Sequence, residues 1–199
     1  MPLTGAMGLS LSALMAAVTT PVPDVVWMDL ARLPALAREA ARREALAVLA
    51  DAGLNPRWRV GRAQDLIRPH ELTVTLLPHD RAAREGGARV MGACHARAGG
   101  ARVWIYLDAV SWTLGLPADD RPQTPEQAFR LGRALGRIVA HEFIHAVAPA
   151  VGHARSGVMA ARLGRGELTA GRLRVDAQTR RAMHGALSAA RPAMAVPGS

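Results

Sequence analysis

An α+β fold is what this chain predicts, and three observations carry the prediction. Short β-branched and aromatic runs recur through the first half, one long capped helical pattern occupies residues 125–148, and a second helical run closes the chain before Pro192. At 199 residues the chain can enclose a substantial hydrophobic core and has a length that suits one domain. That domain is expected over residues 24–190, with 1–23 as an N-terminal arm and 191–199 as a flexible tail.

The elements follow in order. Val25-Val26-Trp27-Met28-Asp29 reads as a buried strand bounded by Pro23 and Asp29. From Pro34 to about Ala50, Leu36, Ala40, Leu46, Val48 and Leu49 fall among Arg and Glu at helical spacing, and Gly53 supplies the stop. Trp58-Arg59-Val60 is a candidate second strand. Leu72 to Leu77 alternates apolar residues with threonines, the mark of a half-buried strand, and Pro78 ends it. The Gly-rich stretch from Gly86 to Gly100 reads as a loop or an irregular hairpin. In the next strand, Arg102 to Leu107, residues Val103, Ile105 and Leu107 share one face, while Trp104 and Tyr106 share the other. Asp108 then caps a turn.

Thr124-Pro125-Glu126-Gln127 opens the long helix, with Thr as N-cap, Pro at the first helical position and Gln at the capping-box position. Gly132, Gly136 and Ala140 form a small-residue stripe, expected to let the helix approach the sheet closely. Leu131, Leu135, Ile138, Val139 and Val147 add apolar surface that would hold it rigidly. Asp176 caps a last helix over about 177–190, in which His184 reads as a surface or packing residue.

The chemistry concentrates in His141-Glu142-Phe143-Ile144-His145 and the residues after it. Residues four apart lie one above the other on a helix, so His141 and His145 can aim both imidazoles at one point. Glu142 projects beside that point, where a carboxylate can take a proton from an activated water without itself binding the metal. Catalytic zinc usually takes three protein ligands and leaves a fourth position open. His153 is the candidate third ligand. Pro149 ends the helix at about Ala148 and Gly152 offers a turn, so the chain can double back. In a continuous helix His153 would lie roughly 12 Å beyond His145, out of reach of a shared ion. A rival third ligand is Glu167, on the pattern of two helical histidines with a distant glutamate. Cys94-His95 lacks the partner spacing of a metal site.

This stretch resembles the metzincin class of zinc peptidases, whose pattern is H-E-x-x-H-x-x-G-x-x-H followed by a methionine turn beneath the metal. Met159, in Ser156-Gly157-Val158-Met159, stands where that methionine would be. Ala148 replaces the glycine of the pattern and the third His arrives two residues late. It is similar in this to a group of small bacterial metzincin-like proteins with a longer spacing and a Gly-Val-Met type turn. The resemblance implies a small twisted mixed sheet with a backing helix, a long active-site helix and a C-terminal helix. It implies Zn2+ held by His141, His145 and His153, Glu142 as general base, and a peptide or protein substrate hydrolysed internally. It also places a strand such as Arg102–Leu107 beside the cleft, to pair with substrate, while the residues themselves read equally as an interior strand whose tyrosine reaches a buried partner. The tyrosine that some metzincins carry two residues after the methionine is Ala161 here. Residues Ala160 to Leu163 would wall a specificity pocket, with Arg162 favouring acidic side chains. A zinc-binding module without proteolytic activity is the competing reading.

Composition narrows the field. The formal charge of +9 comes from arginine with no lysine anywhere, and only Arg42-Arg43 and Arg180-Arg181 are adjacent pairs. No basic run interleaved with aromatics appears, which argues against nucleic-acid binding. Cys94 is the sole cysteine, so no intrachain disulfide can form. No apolar stretch reaches the 18 to 20 or so residues that span a bilayer. Residues 5–18 are small and apolar, as in a degenerate export signal that would favour a secreted or periplasmic protein, or in a packed arm. A monomer is assumed.

Overall fold

The computed structural model describes residues 22–62, 65, 68, 70–79, 90–97, 100–116 and 122–189. The export-signal reading of the N-terminus, the tail after residue 190 and the start of the Gly-rich stretch lie outside the described residues. Ten elements follow in order: β1 (Asp24–Asp29), α1 (Ala35–Asp51), β2 (Trp58–Val60), β3 (Glu71–Leu77), β4 (Gly92–Arg97), β5 (Gly100–Tyr106), α2 (Leu107–Leu114), α3 (Pro125–Val147), α4 (Arg165–Thr169) and α5 (Ala177–Ala189).

The strands form one mixed sheet in the order β2-β1-β3-β5-β4, as expected for the α+β class. β1 runs parallel to β2 and β3, β3 runs parallel to β5, and β4 closes one edge antiparallel to β5. Registry explains the layering. Trp27 aligns with Val74, Val74 with Val103, and Val103 with Cys94, so these four share one face of the sheet. Leu76, Ile105 and Gly92 form the next row on that face. Against it lie the buried surfaces of α1 and α3, so the core is a sheet backed by helices.

Of the two readings of the strand over Arg102–Leu107, the interior one matches the structure: β5 is interior and β4 holds the edge, because the Gly-rich stretch contains a regular strand that pairs outside it. Two expectations are corrected. β5 ends at Tyr106, and Leu107 begins the short helix α2, which Gly115 terminates at φ +68°. The glycine stripe of α3 faces α1 rather than the sheet. A Cβ at Gly132 would lie 2.3 Å from the Ala37 carbonyl oxygen, and one at Gly136 would lie 2.5 Å from that of Ala41. α1 answers with alanines: Ala37, Ala40, Ala41 and Ala45 are buried, whereas Leu36, expected on the apolar face, is 40% exposed. Two helices without large side chains between them approach until backbone meets backbone.

The start of α3 matches its reading. Thr124 accepts a hydrogen bond from the Gln127 amide, and the Gln127 side chain accepts from the Thr124 amide, completing a capping box. Arg137, buried within α3, pairs with Glu44 of α1 and donates to the Glu167 and Ala170 carbonyls, so one guanidinium ties α1, α3 and the end of α4 together. At α5, Asp176 accepts from both the amide and the hydroxyl of Thr179. His184 packs as expected, its Nε2 sitting 2.8 Å from the Ala52 carbonyl oxygen.

Candidate metal centre

α3 ends at Val147, with Ala148 as its C-cap at φ −132°, a conformation incompatible with another helical turn. The Val151 amide then donates to the Ala148 carbonyl, and the chain reverses beneath the helix end. The glycine that a turn requires is Gly157, at φ +82°, rather than Gly152, which is not among the positive-φ residues. From Gly157 the chain passes through the buried pair Val158-Met159. An isolated parallel bridge between Ala154 and Ala160 pins this return beside the segment carrying His153.

The three histidines come together. His145 Nε2 lies 3.1 Å from His141 Nε2 and 3.2 Å from His153 Nε2, and one ligand atom from each falls within 4.8 Å of the others. Nitrogens placed tetrahedrally around zinc at its usual bond length would be about 3.3 Å apart, so the spacing fits. The tautomer also fits. His141 Nδ1 sits 2.7 Å from the Val158 carbonyl oxygen, which can only accept, so Nδ1 carries the proton and the Nε2 lone pair faces the cluster. Burial, with the neighbouring histidines, lowers the His145 pKa to about 4, and burial likewise holds His141 below its ordinary value. Neutral imidazoles are the ligating form. Met159 is buried in the core cluster, and its neighbour Val158 supplies the carbonyl that orients His141.

Glu142 is beside this cluster and 7% exposed. Burial pushes its carboxyl up to about 7. Cys94, His141, Glu142, His145, Pro149 and His153 line a cleft of about 450 Å³.

Every residue read from the motif as a ligand or base therefore lies in one cleft. Glu167 does not: it sits in α4, its carboxylate oxygen beside Gly164, outside the histidine group. Cys94 and His95 cannot act as a pair, because successive strand residues face opposite sides of the sheet. Cys94 alone turns toward α3, where burial and the Glu142 charge raise its thiol to about 11. The contribution of β4 to the cleft was missed. Its signal is register, which appears only once the strand is paired with β5.

The sequence matches no family model and no curated protein. The fold is similar to that of archaemetzincin from Methanopyrus kandleri, at a TM-score of 0.57 and 14% identity over 85% of this chain and 98% of that one. A zinc-dependent peptidase from Methanocorpusculum labreanum (strain Z) aligns at a TM-score of 0.47 and 16% identity, over 80% and 99% of the two chains. The chain thus has a metzincin-like fold, as the motif implied.

Proposed function

We propose that this protein is a zinc-dependent endopeptidase, with His141, His145 and His153 as metal ligands and Glu142 as general base. The observation that carries the proposal is the convergence of three Nε2 atoms on a cleft that a buried carboxylate also lines. The likeness to archaemetzincin adds support at the level of fold, which alone does not define an activity. Bound zinc would supply Lewis acidity, lowering the pKa of water and polarising a substrate carbonyl.

The chain's own residues do the rest. The Val158 carbonyl holds His141 in the tautomer that presents Nε2. Glu142, whose side chain lines the same cleft as the three imidazoles, is placed to accept a proton from the attacking water and return it to the leaving amine. Among the described residues β4 has one neighbour in the sheet and its Cys94 lines the cleft, so its outer edge would serve as a template for an extended peptide. Among the described residues no helix is long and apolar enough to cross a membrane.

Glu142→Ala should retain one zinc per chain and lose turnover, read as metal content against cleavage of a protein library with a chelator control. Loss of the metal in that variant would assign Glu142 a ligand role and sink the general-base reading. Chelator-insensitive or absent cleavage by the wild-type protein would favour a zinc-binding module without proteolytic activity.

A further inference from the structure

Gly92 stands on edge strand β4, across from Ile105 and on the sheet face that looks toward α3. Its backbone is not in the left-handed region, so conformational freedom does not explain a glycine here. Space does. A Cβ at this position would lie 2.7 Å from Glu142 Oε1 and 3.1 Å from Ile138 Cγ2. Real contacts of a methyl carbon are longer than the first of these, so the carboxylate or the strand would have to move, and Ile138 closes the space beside them. Ile138 is 2% exposed and locked in the core one turn before Glu142. The carboxylate is the free end of a flexible side chain facing an open cleft. It is the group that yields.

We propose that Gly92 is a positioning residue: the absent side chain on β4 forms the recess in which the Glu142 carboxylate rests, and so sets the direction from which that carboxylate reaches toward the histidine cluster. The inference rests on the reading of Glu142 as general base. Cys94, two residues along and on the same face, lines the same cleft, so the edge strand walls the carboxylate on the side away from α3. This division of labour is economical. α3 supplies the base and two imidazoles, and β4 supplies the clearance that fixes where the base points.

Gly92→Ala tests it. The crystal structure of the variant should show the Glu142 carboxylate displaced from its wild-type position with the three imidazoles unmoved, a readout independent of activity. Zinc content should equal that of the wild type, while kcat falls by roughly 10²-fold, the scale of an ångström's misplacement, with little change in KM. In a Glu142→Asp background the shorter side chain withdraws from the new methyl, so adding Gly92→Ala should cost much less; if the single variant folds poorly, recovery of folding in the Glu142→Asp background reads the same contact. An unmoved carboxylate, or equal losses of kcat in both backgrounds, would overturn the proposal. Absence of zinc-dependent cleavage by the wild-type protein, with the carboxylate nonetheless displaced in the variant, would overturn the peptidase reading while leaving the packing relation intact.

Discussion

The proton on His141 organises the cluster. Because the Val158 carbonyl can only accept, Nδ1 must donate, and the opposite nitrogen is left with its lone pair toward His145 and His153. The turn through Gly157, Val158 and Met159 therefore acts on the site through a backbone oxygen and a packed side chain, with no direct ligation. Met159→Leu, which conserves volume, should keep zinc content and cleavage and cost less than about 1.5 kcal/mol. Met159→Ala should cost about 2–5 kcal/mol in chemical denaturation, since it empties a core position. Loss of zinc from the Leu variant, with stability preserved, would mean that the methionine does more than pack. At this scale the histidines were legible because helical spacing and a proline stop are local properties of the chain. The role of Gly157 in place of Gly152 was not, since either glycine can make a turn and only the bridge between Ala154 and Ala160 selects one.

At the scale of elements, the close approach of α1 and α3 packs the helix that carries the proposed ligands against its neighbour. Gly136→Ala offers a test of sign. Alanine is the better helix former by about 1 kcal/mol, so on propensity alone the variant gains stability. The Ala41 carbonyl oxygen, 2.5 Å from the new Cβ, is backbone and has little room to yield. Denaturant unfolding should show net destabilisation, and an increase in stability would mean that the helices separate at little cost. The α5 cap has a pH signature. Hydrogen bonds from Thr179 hold the Asp176 carboxyl below its ordinary value of 3.8, so its contribution is present above that pH and is lost as pH falls through the lower folded value. Asp176→Ala should cost about 1 kcal/mol at neutral pH, and the gap from wild type should close in acid. A gap unchanged down to pH 2 would count against the carboxylate as its source. The capping box of α3 and the Asp176 cap could be read in advance because they depend on three or four consecutive residues. The pairing of β4 with β5, and the identity of the helix that Gly132 and Gly136 face, depend on contacts distant in sequence. A small-residue stripe announces close approach but does not name the partner.

For the whole molecule, the fold brings three separate segments to one cleft: the C-terminal half of α3, the return loop carrying His153, and the inner face of β4. The first two were visible in one contiguous stretch of sequence. The third required the sheet, and with it came Gly92, Cys94 and the edge on which an extended substrate could lie. Arg137 and Glu44 join these layers from within, a buried guanidinium on a partly buried carboxylate whose role no motif announces.

The central claim is that three imidazoles hold one zinc ion while Glu142 stays off it. A crystal structure of the zinc-loaded protein tests this directly. The account predicts His141, His145 and His153 Nε2 at about 2.0–2.1 Å from the metal and a position left for water or substrate. A His153 ring turned away from the ion, or a ligand position taken by Glu142, Cys94 or Glu167, would contradict it.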